Sequence, residues 1–337
     1  MGRDPNHRPR ESEPVKTVTL AMRDWGWLTP LVLGEIDPGP LRAQGVQLAI
    51  ERVQTLPGPG ERDRFDVAET SLSRHVIDTV SGSVDAVGVP YFAMQAFRSR
   101  CVLVREDTPA QSAADLDNGR LGLTGWHDSG NIWTRDALRH DGLDTTGVRW
   151  FAGPLSAGGP IYDRLGPGRA RDDVSDTGGS TLVELLLAGV LDGVLTPFMP
   201  PAVYGTDAPL RPLYPASTEP ELRYYAARGY VPGIHLLTAD PALPGGVTAA
   251  VVQVLDASRQ EWLRRRARML DDPALGADTA YQLQARHLRP GWDSPGIQVH
   301  RRMIEDFLDL QVADGIIPTA PSLHDLFMDI TDLEESA

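Results

Sequence analysis

Apolar and polar positions along this chain repeat with two periods, and the periods alternate in a way that predicts strands and helices in turn. Val15–Met22 (VKTVTLAM) alternates with period two and predicts a first strand; Val46–Val53 predicts a second. Between them, Thr29-Pro30-Leu31 is a helix start, a threonine N-cap with proline at the first helical position, and the helix stops near Gly34-Glu35. Phe65–Glu69 reads as a strand end that turns at Thr70-Ser71 into a helix with Leu72, Val76 and Val80 on its apolar face. AVGVPYF is the next buried strand, Cys101–Val104 an apolar crossing, and Arg120–Thr124, Val148–Phe151, Val190–Leu195 and Tyr230–Leu237 are further strands. Helices are expected over Ile132–His140, Ser180–Ala188 with Ser180 as cap, Thr218–Gly229, within Pro244–Met269, and over Asp278–Leu288, Ser294–Asp314 and Ser322–Phe327. Gly153–Gly179 has no sustained periodicity and reads as a long excursion, a candidate cover for a cleft. The alternation predicts an α/β fold.

At 337 residues the chain is long enough for two domains and a sizeable core. Its net charge of −14 argues against a nucleic-acid partner, and no apolar run has the length of a membrane span. The opening MGRDPNHRPRESEPVK has no apolar segment of the secretory type, so residues 1–14 are expected to be a disordered tail and the protein cytoplasmic. A single cysteine, Cys101, excludes an intrachain disulfide and a multi-cysteine metal site, and reads as a core thiol. Phosphate-loop, dinucleotide, zinc-protease and serine-hydrolase motifs are absent, and no acidic or histidine cluster has metal-ligand spacing, so no cofactor is expected. A homo-oligomer is left open.

Several polar residues fall where strand ends meet helix starts, the region in which α/β folds bind ligands. At Thr70-Ser71 a hydroxyl and the free N–H groups of a helix start face outward together, ready for a carboxylate, and Arg98 and Arg100 follow the next strand. Two readings stand: an anion site with its guanidinium, or a capping serine and a solvated arginine. Asp24 follows the first strand, and Glu35 is either a catalytic carboxylate or a solvent-facing helix-end acid. Gly125–Asn131 (GWHDSGN) has the small and polar residues of an anion-binding turn. Within it His127 is a general-acid candidate or a polar loop residue. His235, in an apolar strand, is a core histidine or a site histidine.

The stretches FDVAETSLSRHVID, GVPYFAMQAFRSR and ADLDNGRLGL resemble the 4,5-dihydroxyphthalate decarboxylase family, whose motifs run FDVSEMSLS and P-x-F-x-x-x-x-FRHS. The resemblance runs in patches from about Leu20 to about Asp240. It implies a type 2 periplasmic-binding-protein-like fold used as an enzyme: two α/β lobes with a ligand cleft between them. Lobe I would comprise 15–106 plus 207–337 and lobe II 107–206, hinged near Val104 and Tyr204. The resemblance adds weight to Asp24 and Thr29, to Trp133 and Arg135, and to His235, whose strand is similar to the family's G-x-x-P-x-x-H. His127 departs from the family pattern, as do Gln95 and Phe198-Met199, which stand near positions where the family carries arginines. The two missing cations imply a substrate less anionic or more apolar than the phthalate.

The function implied is cofactor-independent decarboxylation of a hydroxylated aromatic or related carboxylic acid, not necessarily 4,5-dihydroxyphthalate itself. In that reading Arg98 and the Ser71 turn, with Thr70, bind a carboxylate, and His235 or His127 donates a proton to carbon. Asp24 or Glu35 contacts the ring hydroxyl or orients the acid. Trp126 and Trp133 form apolar walls, and Arg135 and Phe198 complete the binding surface. Two alternatives stay open: a solute-binding protein for a small carboxylate, and another lyase on the same fold, such as a chorismate-dehydratase-like enzyme.

Overall fold

The computed structural model describes residues 15–83, 85–157, 173–214, 218–269 and 286–329. The expected tail 1–14, the middle of the 153–179 excursion, most of the helix expected over 278–288 and the acidic end of the chain lie outside the described residues. The elements follow the predicted alternation: β1 (Lys16–Arg23), α1 (Thr29–Val32), α2 (Gly39–Ala43), β2 (Val46–Val53), β3 (Val67–Ser71), α3 (Leu72–Ser81), β4 (Val87–Gln95), β5 (Val102–Arg105), β6 (Arg120–Leu123), α4 (Ser129–His140), β7 (Arg149–Ala152), β8 (Val174–Asp176), α5 (Leu182–Leu187), β9 (Gly193–Leu195), β10 (Leu210–Pro212), α6 (Glu219–Arg228), β11 (Gly233–Ala239) and α7 (Gly245–Met269). Two more helices, Ile297–Ala313 and Leu323–Leu326, follow. Among the described residues no helix is long and apolar enough to cross a membrane.

The strands form two sheets, one per lobe. The first has the order β2-β1-β3-β11-β4, with β11 antiparallel to both of its neighbours; the second has the order β10-β5-β9-β6-β7-β8. The second sheet therefore runs from Val102 to Pro212, wider than the 107–206 range expected from the sequence. The apolar crossing Cys101–Val104 is the reason: most of it is not a connector but a strand, hydrogen-bonded between β9 and β10. Cys101 itself lies before that strand in a short turn, partly exposed, and desolvation pushes its thiol pKa up.

Local chemistry sets the helix ends that matter. α3 starts where predicted, but Val80 is exposed and Ile77 shares the inner face with Leu72 and Val76. α4 begins three residues earlier than predicted because Asp128 caps it, its carboxylate accepting the Asn131 N–H at 3.0 Å. α5 is capped by Thr181 rather than Ser180; the Thr181 hydroxyl and the Glu184 carboxylate satisfy each other's backbone N–H. β8, inside the stretch read as irregular, pairs with β7.

The lobes share a core. Leu72, Val76 and Phe92 of the first lobe, Ile132 and Trp133 of α4, and Phe307 of the helix Ile297–Ala313 belong to one buried apolar cluster. Every residue of α4 from Ser129 to Leu138 is buried, so this helix is embedded between the lobes rather than lying on one of them.

Candidate active site

A cavity of about 470 Å³ opens between the two lobes. Thr70 and Ser71 at the β3–α3 turn, Arg98 after β4, His127 and Gly130 around the start of α4, Phe198 after β9, His235 on β11 and Asp24 after β1 all line it. The sequence thus brings together residues from both lobes at or just after the carboxyl ends of strands, joined by His235 near the amino end of the antiparallel β11.

The turn at Ser71 is built differently from a simple cap. Ser71 occupies the N-cap position of α3, but its hydroxyl makes no capping bond and lies 2.7 Å from the hydroxyl of Ser129. The Ser129 oxygen accepts the Ser73 N–H at 2.8 Å, so α3 is capped by a residue from the other side of the cleft. The first turns of α3 and α4 therefore meet at the cavity, and both present the positive end of a helix there.

Arg98 lies against the start of α4. It is 3% exposed, and its Nε donates to the Gly130 carbonyl at 3.2 Å and to Thr134 Oγ1 at 3.4 Å. Its Nη2 is buried and makes no hydrogen bond among the described residues. No carboxylate pairs with this guanidinium among them. A buried cation left without a partner is costly, so the arrangement favours an anionic ligand. Gly130 makes room for it: a Cβ there would lie 2.5 Å from Arg98 Nη2 and 2.9 Å from its Cζ.

His235 faces the cavity from β11 and is supported from behind. Its Nδ1 lies 2.6 Å from Oε1 of Glu69, a fully buried carboxylate on β3. Glu69 Oε2 accepts the Arg23 N–H and the Trp25 indole N–H, each at 2.9 Å. The pairing register explains the meeting: Leu237 is opposite Glu69 and His235 opposite Ser71, so Glu69 and His235 are diagonal neighbours on one face. On the other side of β11 the register against β4 shifts around His235. His127 is buried and reaches the same cavity from the second lobe.

Four expected site residues stand elsewhere. Glu35 pairs with Arg265 at 2.7 Å, more than a third exposed, and does not line the cavity. It belongs to the contact of α1 with α7, two elements remote from the strand ends. Trp126 is a core residue of the second lobe, its indole N–H donating to the Asp314 carbonyl and its face covered by Arg135 at 3.9 Å. Arg135 is fully buried and paired with Asp314 at 2.6 Å. Trp133 is buried against Phe307 and Tyr230, with its N–H donating to the Gly233 carbonyl at 2.8 Å. It holds the strand that carries His235 without touching the cavity. Asp24 does reach the cavity rim, where it pairs with Arg52 at 3.0 Å and is largely exposed.

Arg23 and Trp25, which flank Asp24 at the strand end where a ligand site was expected, line the cavity too; sequence reasoning missed Arg74, which also lines it, and Glu69 behind it. The case for a cation-poor cleft, made from Gln95 and Phe198, is offset by Arg23 and Arg74, which join Arg98 from other positions; Gln95 instead donates to the Val231 carbonyl. The signal for Glu69 was available: an acid in the midst of a buried strand needs partners. Among the described residues no three His, Cys, Asp or Glu side chains are grouped so as to hold a metal ion.

No family model matches the chain. It is similar to a 4,5-dihydroxyphthalate decarboxylase from Pseudomonas putida, 32% identical over 140 residues, covering 40% of this chain and 54% of that protein. A protein of the same name from Comamonas testosteroni is 28% identical over 197 residues, 55% of this chain and 59% of that protein. The chain thus matches somewhat more than half the length of these curated relatives, and the resemblance read from the motifs stands. Among solved structures, the periplasmic aliphatic sulphonate binding protein SsuA from Escherichia coli superposes with a TM-score of 0.53 at 13% identity, over 94% of this chain and 93% of that one. The alkanesulfonate-binding protein SsuA from Xanthomonas axonopodis pv. citri, bound to MOPS, gives 0.51 at 14%, over 94% and 99%. A mutant of the desulfurization enzyme DSZB in complex with biphenyl-2-sulfinic acid gives 0.51 at 13%, over 96% and 100%. At these identities the likeness shows the fold alone, which is the two-lobed, type 2 periplasmic-binding-protein-like fold expected.

Proposed function

We propose that this chain is a decarboxylase that acts, without a bound cofactor, on a hydroxylated aromatic or related carboxylic acid. The similarity to two decarboxylases supports the reaction class. The observation that carries the reading is the buried Arg98 guanidinium, whose Nη2 has no hydrogen-bond partner among the described residues, in the same cavity as His235. An acid anchored at Arg98, Ser71 and the first turn of α4 has its carboxylate beside a buried guanidinium and the starts of two helices. A ring hydroxyl ortho or para to the reacting carbon lets the substrate itself hold the electrons. His235 delivers a proton to the carbon that bears the carboxylate, using an electron pair of the ring. The carbon–carboxylate bond then breaks, carbon dioxide leaves, and that bonding pair restores the ring, so one proton is consumed for each carbon dioxide released. Arg23 and Arg74 add cationic character to the cavity, which suits a substrate with at least one carboxylate.

The test is carbon dioxide release from a panel of hydroxybenzoic and hydroxyphthalic acids, without added metal or cofactor, for the wild type, His235→Gln and His127→Gln. A proton donor is expected to lose turnover by roughly 10²–10⁴-fold while the affinity for a non-reacting analogue changes less than about tenfold. Full turnover in both variants removes histidine from the role. An acid that binds and is recovered unchanged by the wild type points to a carboxylate-binding protein instead.

A further inference from the structure

We infer that Glu69 is the positioning residue of this site, fixing both the ring orientation and the tautomer of His235; the inference rests on His235 being the proton donor proposed above. Glu69 is 0% exposed and does not itself line the cavity, but it hydrogen-bonds three residues that do, Arg23, Trp25 and His235. Its Oε2 is held by two groups that can only donate, the Arg23 backbone N–H at the end of β1 and the Trp25 indole N–H. Its other oxygen therefore has one task, which is to face Nδ1 of His235 at 2.6 Å. A carboxylate only accepts, so Nδ1 carries a hydrogen and donates it. The second ring nitrogen, Nε2, has no hydrogen-bond partner among the described residues and is the atom left for the cavity that His235 lines. A protonated ring, with hydrogens on both nitrogens, fits the same frame: one hydrogen is held by Glu69 and the other is available for transfer to carbon. The fixed strands make this frame rigid, since Glu69 and His235 sit diagonally across the β3–β11 pairing.

This geometry makes an isosteric exchange informative. In Glu69→Gln the amide oxygen must take the place of Oε2, because an amide NH₂ there would meet two N–H donors. The NH₂ then points at Nδ1, which must become an acceptor. Neutral His235 is forced to carry its hydrogen on Nε2, and the doubly protonated ring loses its place. The equivalent acid-to-amide exchange behind a catalytic histidine costs about 10⁴-fold in turnover in serine proteases, through the wrong tautomer.

The experiment is ¹⁵N spectroscopy of histidine-labelled protein at a pH where the ring is neutral, with the His235 signals assigned by their loss in His235→Gln, alongside kinetics. In the wild type Nδ1 is expected to carry the hydrogen; in Glu69→Gln the two nitrogens exchange character, turnover falls by roughly 10²–10⁴-fold, and analogue affinity stays within about tenfold. A wild-type ring with its hydrogen on Nε2 overturns the inference, and that measurement does not depend on Glu69→Gln folding. An unchanged tautomer in Glu69→Gln overturns it too, as does a reversed tautomer with full turnover. Reversal in a protein whose wild type decarboxylates nothing supports the positioning and refutes the decarboxylase reading instead.

Discussion

Replacing Arg98 by methionine separates two energies that usually travel together. Methionine keeps the apolar stem and removes the charge. In the ligand-free protein, the Arg98 Nε contacts at 3.2 and 3.4 Å are long for charged hydrogen bonds, so they contribute at the low end of the usual range, about 1.5 kcal/mol. Against them stands the effective penalty of a buried cation whose Nη2 is unsatisfied, on the order of several kcal/mol. The ligand-free variant is therefore expected to be as stable as the wild type or more stable. With ligand the sign reverses. Losing a charge-assisted contact to a desolvated carboxylate costs about 2–5 kcal/mol, which is roughly 30- to 5,000-fold in Kd. The assay is calorimetric titration of an aromatic acid and its carboxamide into both proteins, with thermal melts of each. Arg98→Lys is expected to recover only part of the loss, because an ammonium cannot form the two-pronged contact. The reasoning is refuted if the carboxylate loses no more affinity than the carboxamide, or if the ligand-free variant melts well below the wild type.

Two further outcomes follow from named contacts. Gly130→Ala is expected to keep the fold, since Gly130 has helical backbone, and to weaken acid binding by about tenfold, because its Cβ would lie 2.5 Å from the Arg98 guanidinium and 2.9 Å from the capping Asp128 Oδ1 and so displaces both; unchanged affinity would show that both side chains adapt without loss. His300 is buried and donates Nε2–H to the Ser294 carbonyl, and burial, helped by the charges of Arg259 and Arg289, lowers its pKa from 6.5 to about 3. The unfolded chain thus takes up this proton first, so the contribution is present above pH 6.5 and is lost as the pH falls towards 3, by about 1.4 kcal/mol per unit. Urea midpoints should fall more steeply from pH 7 to 4 for the wild type than for His300→Gln, and parallel curves would falsify the assignment.

What the sequence revealed was local, and what it hid was remote. Ser71 and Arg98 could be singled out because one ends a strand and the other follows one, and a strand end is visible in twenty residues. That Ser129 would cap α3 was not, because the two serines lie far apart in the chain and only the packing of α4 joins them. Trp133 and Arg135 were misplaced for a related reason. A tryptophan and an arginine in a first helical turn suggest a face open to a ligand, but α4 is enclosed on all sides, so its tryptophan becomes core and its arginine needs Asp314. Glu69 is the instructive omission. Its place in a strand beside Val67 and Ala68 announced burial, but the partner that gives the burial meaning, His235, lies on a strand made much later. The lobe boundaries slipped because the same apolar run can be a connector or a short strand, and only pairing decides.

The strand order of the first sheet also has a consequence in time. β11 enters between β3 and β4, which never pair with each other. As the chain is synthesised, both of these strands are complete long before β11 leaves the ribosome, and each waits with an open edge of N–H and C=O groups. The second sheet has all of its strands by Pro212. The lobe that begins first is thus closed last, and His235 arrives with the strand that closes it. A chain released between Pro212 and Gly233 carries one finished sheet and one unclosed sheet, with no wall for Trp133 and an edge prone to aggregation. The cavity between the lobes is therefore among the last parts of the molecule to come into being.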